Sequence, residues 1–276
     1  MSTSAPQPPE EFPNQPPSTQ AGQPYVVRNR FAIRLSKPYV TRTLIVLNVL
    51  VFVAMVVYGY MTYNTLRGTE DMRVLVDFGA KVNSLIADGE TWRLFSAMFI
   101  HIGVFHLLVN LYALYILGPL VEGYFGHLRF LGIYLVGGLF GSLASYAFSD
   151  SISAGASGAI FGLAGAITVF FLRYRDNFGK QGRSILQSMA FIIGLNLIFG
   201  LTVPGIDNWG HIGGLVGGAV VAYGLLPRYK APDLLQPGPQ VIEQEERVIH
   251  SLLWVSVCVA VLVFAVEFVT RSVHGG

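Results

Sequence analysis

Residues Thr43 to Met61 read T-L-I-V-L-N-V-L-V-F-V-A-M-V-V-Y-G-Y-M, without one charged side chain. A helix needs about 20 apolar residues to cross the hydrocarbon core of a bilayer, and this stretch nearly meets that alone. Six further apolar runs follow: Gly103–Val121, Phe130–Phe148, Ser157–Leu172, Ser184–Val203, Trp209–Leu226 and Leu252–Val269. Together they predict seven helical spans. Several are shorter than a full crossing, which is tolerable for a helix that begins below the surface inside a bundle. The expected fold class is all-α: a polytopic membrane helical bundle, with a six-span core and a seventh C-terminal span.

Composition supports the same solvent. Hydrophobic residues make up 53% of the chain and charged residues only 12%, with a mean hydropathy of +0.54, outside the range of ordinary soluble domains. The lipid bilayer is therefore the expected surrounding. A net charge of +2 gives a nucleic-acid partner no electrostatic footing. The single cysteine, Cys258, lies in an apolar run and reads as a packing residue. Met1 to Pro24 is rich in Pro, Gln and Ser and lacks the apolar segment of a signal peptide, so it is expected to be disordered. The predicted division is a cytoplasmic tail and basic juxtamembrane segment over 1–38, a six-span unit over 39–230, a cytoplasmic linker over 231–250, and the seventh span over 251–276.

Basic residues orient the spans. Arg28, Arg30, Arg34, Lys37 and Arg42 precede the first span, Arg173, Arg175, Lys180 and Arg183 follow the fourth, and Arg228 and Lys230 follow the sixth. All fall on one side if the N-terminus is cytoplasmic, and a bacterial plasma membrane is the expected location. The stretch from Thr62 to Arg93 mixes apolar residues with charges and is long for a plain connection. It is expected to lie partly in the outer interface.

Polar residues stranded in apolar spans are functional candidates. The second span carries His101, His106 and Asn110; the fourth opens with Gly155-Ala156-Ser157-Gly158; the sixth opens with Asp207-Asn208-Trp209-Gly210-His211. These three spans share one direction, so their polar groups are expected at one depth. A serine hydroxyl needs an adjacent base to become a nucleophile, and His211 is placed to supply it. A developing oxyanion needs fixed donors. The helix start at Ser157 offers unpaired N–H groups, and His106 and Asn110, four apart, share a helix face. Gly155 and Gly158 permit close backbone approach on either side of Ser157.

Each signal has a plainer counterpart. G-x-S-G alone is weak in a glycine-rich chain, and a lone span histidine is more often a hydrogen-bonded structural group. Apart from Gly155 and Gly158, the glycines of the third, fourth and sixth spans read as packing residues. Asp207, four before His211, reads as an N-cap. A metalloprotease H-E-x-x-H pattern is absent, since His101 and His106 are five apart without the glutamate. No aspartate lies within the spans, which disfavours an aspartyl protease. Neither cofactor nor metal is expected.

Taken together, these motifs resemble the rhomboid family of intramembrane serine proteases, over roughly Tyr39 to Tyr229. Trp92-Arg93 is similar to the family's tryptophan-arginine pair; His101, His106 and Asn110 match H-x-x-x-x-H-x-x-x-N; Gly155 to Gly158 match G-x-S-G; and His211-Ile212-Gly213-Gly214 match the sixth-span signature. The resemblance implies a Ser157–His211 dyad with His106 and Asn110 as oxyanion donors. Phe161 stands where many relatives carry a tyrosine packed on the histidine. The implied function is a serine endopeptidase that cuts single-span transmembrane substrates near the outer membrane face. The rival reading is a non-catalytic membrane scaffold or chaperone binding client helices.

Overall fold

The computed structural model describes residues 31–33, 35–203, 205–229, 240–242 and 247–274. The Pro-rich tail and most of the linker lie outside the described residues. Helices carry the fold. The long ones are α1 (Tyr39–Tyr63), α5 (Gly103–Phe125), α6 (His127–Phe148), α7 (Ser157–Arg173), α8 (Arg175–Thr202), α9 (Asn208–Leu225) and α10 (Val248–Val269). Between α1 and α5 come the short helices α2 (Met72–Phe78), α3 (Asn83–Ala87) and α4 (Arg93–Ser96). A three-residue parallel ladder pairs β1 (Phe31–Ile33) with β2 (Gln240–Ile242).

Five helices are long and apolar enough to cross a membrane: α1, α5, α6, α8 and α10, the last with its continuing turn. The other two apolar runs also form helices. With 17 residues, α7 is about 25 Å long at 1.5 Å per residue, short of a hydrocarbon core of about 30 Å. Glycine dilutes the apolar character of α9. Most of α7 is buried inside the bundle, whereas α9 buries one face and exposes Trp209, Val216, Val220 and Tyr223 on the other. One boundary differs from the sequence reading: α8 begins nine residues before Ser184, because the charged stretch after Arg173 also coils. Gly179, at φ 50° and ψ −123°, breaks that stretch from the rest of the helix.

Backbone contact holds the centre together. A Cβ on Gly137 would meet the Gly218 Cα at 3.1 Å, and one on Gly141 would meet the Gly210 carbonyl at 2.7 Å and the Gly158 Cα at 3.2 Å. A Cβ on Gly214 would overlap the Gly158 carbonyl. Helices α6, α7 and α9 therefore touch main chain to main chain, the close approach that small residues permit in membrane bundles.

Connections set the directions. Gly126, at φ +81°, is the single residue that joins α5 to α6. At this end Glu122, fully buried, accepts from the N–H groups of Val40 (2.9 Å) and Thr41 (2.8 Å), the Thr41 hydroxyl (2.6 Å) and His127 Nδ1 (2.6 Å). Pro38 supplies no side-chain cap to α1, so the α5 carboxylate satisfies the orphan donors of that helix start. Aromatic rings of Tyr124, Phe170, Phe171 and Phe178 pack nearby.

Helix α10 lies against α6 and α9. Trp254 fills the notch left by Gly224 and donates to the Val220 carbonyl at 3.2 Å. Leu262 and Val266 join Ile86, Leu94 and Tyr146 in one buried cluster, and the Tyr146 hydroxyl meets Thr270 Oγ1 at 3.1 Å.

Candidate active site

Ser157 is the first residue of α7. Gly155, at φ +131°, turns the chain into the helix through a conformation that favours glycine. Its missing side chain matters as well, since a Cβ there would lie 2.8 Å from both Cε1 and Nε2 of His106. Ala156 brings no side-chain cap, and the first bond of the helix runs from Ile160 N–H to the Ala156 carbonyl at 3.0 Å. The helix itself thus offers no acceptor to the N–H groups of Ser157, Gly158 and Ala159.

His211 lies in the first turn of α9, where Asp207 is the N-cap, accepting from Gly210 N–H at 2.9 Å. The His211 ring stacks on Phe161, with centroids 4.3 Å apart and planes 5° from parallel. Phe161 is one turn after Ser157, on the same face of α7, so the imidazole sits over the strip that Ser157 begins. The Gly158, Gly210 and Gly214 contacts let the two helices approach this far. His211 is buried, and its Nδ1 has no hydrogen-bond partner among the described residues. The Ser157 hydroxyl makes no hydrogen bond among the described residues; catalytic hydrogen bonds often tighten only around substrate.

From α5 comes His106. Its Nδ1 accepts from Ile102 N–H at 3.3 Å. A neutral imidazole that accepts at one nitrogen carries its proton on the other, so Nε2, on the ring edge that faces Gly155, is the donor. Asn110 is buried one turn further along, and its Nδ2 donates to the His106 carbonyl at 2.9 Å. One of its two amide N–H groups is left for another acceptor. His101 is fully buried; Ala156 N–H donates to its Nε2 at 3.4 Å, and its ring meets that of His106 edge-on at 5.3 Å.

The segment between α1 and α5 clamps the loop before Ser157. Lys81 and Ser153 form an antiparallel bridge, with N–H to carbonyl distances of 2.9 and 3.2 Å. Lys81 Nζ donates to the carbonyls of Ser149 (2.6 Å) and Ser151 (2.9 Å) and is 1% exposed. Burial pushes its ammonium down to about 8, against the opposing pull of the Asp207 and Asp150 carboxylates. Asn83 Nδ2 adds a donor to the Ser149 carbonyl at 3.1 Å, and Gly155 N–H donates to the Ala97 carbonyl at 2.8 Å.

Trp92 and Arg93 brace that clamp rather than face Ser157. Arg93 donates to the carbonyls of Val76 (2.7 Å) and Ala80 (3.3 Å) and pairs with Glu90 at 2.6 Å. The Trp92 ring occupies the space that the missing side chain of Gly79 leaves.

The structure thus gathers Ser157, His211, His106, Gly155, Gly158, Phe161 and His101 at the end where α5, α7 and α9 begin, and sets Asn110 just beneath. Lys81 and Asn83 escaped the sequence reading, where a lysine among mixed residues passes for a solvated one. The available signal was its tight setting in Gly79-Ala80-Lys81-Val82, which leaves the charge no polar neighbours in sequence. Among the described residues no three His, Cys, Asp or Glu side chains gather as a metal-binding group.

Comparison with known proteins converges on this region. A profile of the rhomboid domain matches residues 88–228, just over half the chain. Rhomboid protease GluP of Bacillus subtilis (strain 168) is 47% identical over 191 residues, covering 68% of this chain and 36% of that protein. RHOMBOID-like protein 7 of Arabidopsis thaliana is 41% identical over 138 residues, 50% of this chain and 44% of its own length. Rhomboid-like protease 1 of Toxoplasma gondii is 35% identical over 154 residues, 52% of this chain and 50% of its own. The chain thus matches half or less of the length of these relatives. The matched stretch holds His101, His106, Asn110, Ser157 and His211 along with the glycine contacts of α6, α7 and α9. A multi-pass helical membrane bundle with this domain across its centre belongs to the rhomboid family.

Proposed function

We propose that the protein is an intramembrane serine endopeptidase that hydrolyses peptide bonds of transmembrane proteins. The stacking of His211 on Phe161, one turn below Ser157, is the observation that carries this reading. It supports a role for His211 as the base of Ser157, whose helix start has no side-chain cap. Ser157 Oγ attacks the substrate carbonyl while His211 takes its proton. The oxyanion accepts from His106 Nε2–H, the spare Asn110 N–H and the N–H groups that open α7. His211 then gives its proton to the leaving amine as the peptide bond breaks. Water, deprotonated by the same imidazole, hydrolyses the acyl-enzyme and returns Ser157.

The sidedness of basic residues supports a cytoplasmic N-terminus and cleavage near the outer face of the membrane. The substrates proposed are single-span proteins, cut near the outer end of the helix. Glycines crowd the surroundings of Ser157, so a small residue such as alanine suits the position beside the scissile bond. An intact helix shields its own peptide bonds, so helix-breaking residues below the cut favour cleavage.

Purified protein and a helical reporter substrate test the reading. Ser157→Ala and His211→Ala are expected to abolish cleavage, and a fluorophosphonate to label Ser157 and stop turnover. His106→Ala should lower kcat by about 10²–10³-fold, the cost of one oxyanion donor. Undiminished cleavage by Ser157→Ala defeats the dyad. A folded wild type that binds helices yet neither labels nor cleaves supports the scaffold reading instead.

A further inference from the structure

We propose that Lys81 is a positioning residue for the nucleophile, holding the loop between α6 and α7 so that Ser157 stays in line with His211; the inference rests on the catalytic reading above. The loop spans residues 149–156, and its backbone polar groups have few partners of its own making. Lys81 supplies four of its bonds: the two carbonyl contacts of Nζ and both hydrogen bonds of the bridge to Ser153. The bridge belongs to the main chain and survives substitution. The Nζ contacts belong to the side chain alone.

Why a lysine stands there is a physical question. Burying an ammonium is costly even when its hydrogen bonds are made. A methionine of similar length would fill the same space without that cost, so fold stability does not favour the lysine. What methionine cannot do is tie two carbonyls, at Ser149 and Ser151, to one point. Those carbonyls lie where the chain leaves α6 and before it re-enters at Ser157, and a single donor group spanning both fixes the course of the segment between. The remaining anchors lie at the two ends of the loop: Asn83 on the Ser149 carbonyl, and Ala97 and His101 on the N–H groups of Gly155 and Ala156. Lys81 alone links the start of the loop to its middle, through Ser149, Ser151 and Ser153. Even neutral, the amine keeps two N–H donors, enough for both carbonyls.

A displacement of about 1 Å at a reacting group can cost on the order of 10²-fold in rate. The full chain in detergent is therefore compared as wild type, Lys81→Met, Lys81→Arg and Lys81→Gln. Active sites are counted by burst labelling with a fluorophosphonate, kcat and KM are measured on one reporter, and thermal unfolding is followed in parallel. Lys81→Met is expected to unfold within a few degrees of wild type, to lose at least tenfold in kcat per labelled site, and to keep KM within about twofold. Lys81→Arg, which restores donors to both carbonyls, should recover most of the lost rate. A kcat per labelled site within twofold of wild type in Lys81→Met overturns the inference. So does a loss confined to the number of labelled sites, which is what a purely structural role would give. If Lys81→Met does not fold, Lys81→Gln, able to reach only one carbonyl, is read by the same two criteria. A Ser157→Ala control separates the two failures: activity there removes the dyad itself, whereas an inactive control beside a fully active Lys81→Met removes only the role of Lys81.

Discussion

The imidazole of His211 and the ring of Phe161 lie parallel, 4.3 Å between centroids. A face-to-face partner fixes the tilt of the imidazole, and Phe161 is itself anchored on the helix that begins with Ser157. Aromatic pairing of this kind contributes about 0.5–1.5 kcal/mol beyond area burial. Phe161→Tyr keeps the stack and should cleave within about twofold of wild type. Phe161→Leu keeps volume but loses the flat face, and kcat should fall by roughly 3- to 10-fold, in line with that energy. Steady-state kinetics on a reporter helix decide this; equal rates for Leu and Phe would show that the stack is only packing.

Gly155 carries two constraints at once, a φ of +131° and the His106 ring against its missing side chain. Gly155→Ala must strain the backbone by about 1–3 kcal/mol and push the ring aside. The expected result is a loss of at least about 100-fold in cleavage, larger than its effect on unfolding temperature. Fluorophosphonate labelling of Ser157 should slow with it. Wild-type labelling in a stable Gly155→Ala protein would show that His106 need not sit where it does.

At the opposite end, Glu122 gathers four donors without solvent contact. Glu122→Ala leaves the Val40 and Thr41 donors buried without an acceptor, and the cost should reach about 3–5 kcal/mol, as for other broken buried charges. Thermal or denaturant unfolding in detergent measures it. Cleavage per labelled active site should stay near wild type, because the damage lies at the far end of α5 from His106.

Lys81 gives a pH signature of its own. Its folded value is about 8, against about 10.4 for an unfolded lysine. Below pH 8 the ammonium is charged in both states and its burial cost is present in full. Between about 8 and 10.4 the folded protein sheds a proton that the unfolded chain keeps, so stability rises with pH across that window. Lys81→Met should lack the rise. The stability difference between the two proteins, followed from pH 7 to 10.5, would stay flat if the side chain were solvated.

Much of this architecture could be read from the chain because the bilayer narrows the choices. Apolar runs such as Thr43–Met61 have no alternative but helix in lipid, and each of the seven runs forms one. The starts of α5, α7 and α9 were legible for the same reason: His106, Ser157 and His211 are polar groups that lipid would reject. The short helices between α1 and α5 were not, since mixed sequence at an interface has no single period to read. Nor was the burial of Lys81, whose partners at Ser149 and Ser151 lie 68 and 70 residues away. Pairings of that range are set by where the helices lead the chain, not by local composition. The early start of α8 escaped because its first turns are charged and carry a glycine, features that normally end a helix.

The cluster that unites Ile86, Leu94 and Tyr146 with Leu262 and Val266 also fixes an order of events during synthesis. Tyr146 and Thr270 are 124 residues apart, so a ribosome building the chain makes the first three side chains long before their partners. Until α10 emerges, these side chains pack with Leu139, Phe140 and Leu143 but lack the cover that Leu262 and Val266 provide. The segment that clamps the Ser157 loop shares that cluster through Ile86 and Leu94. The complete packing of that segment therefore waits for α10.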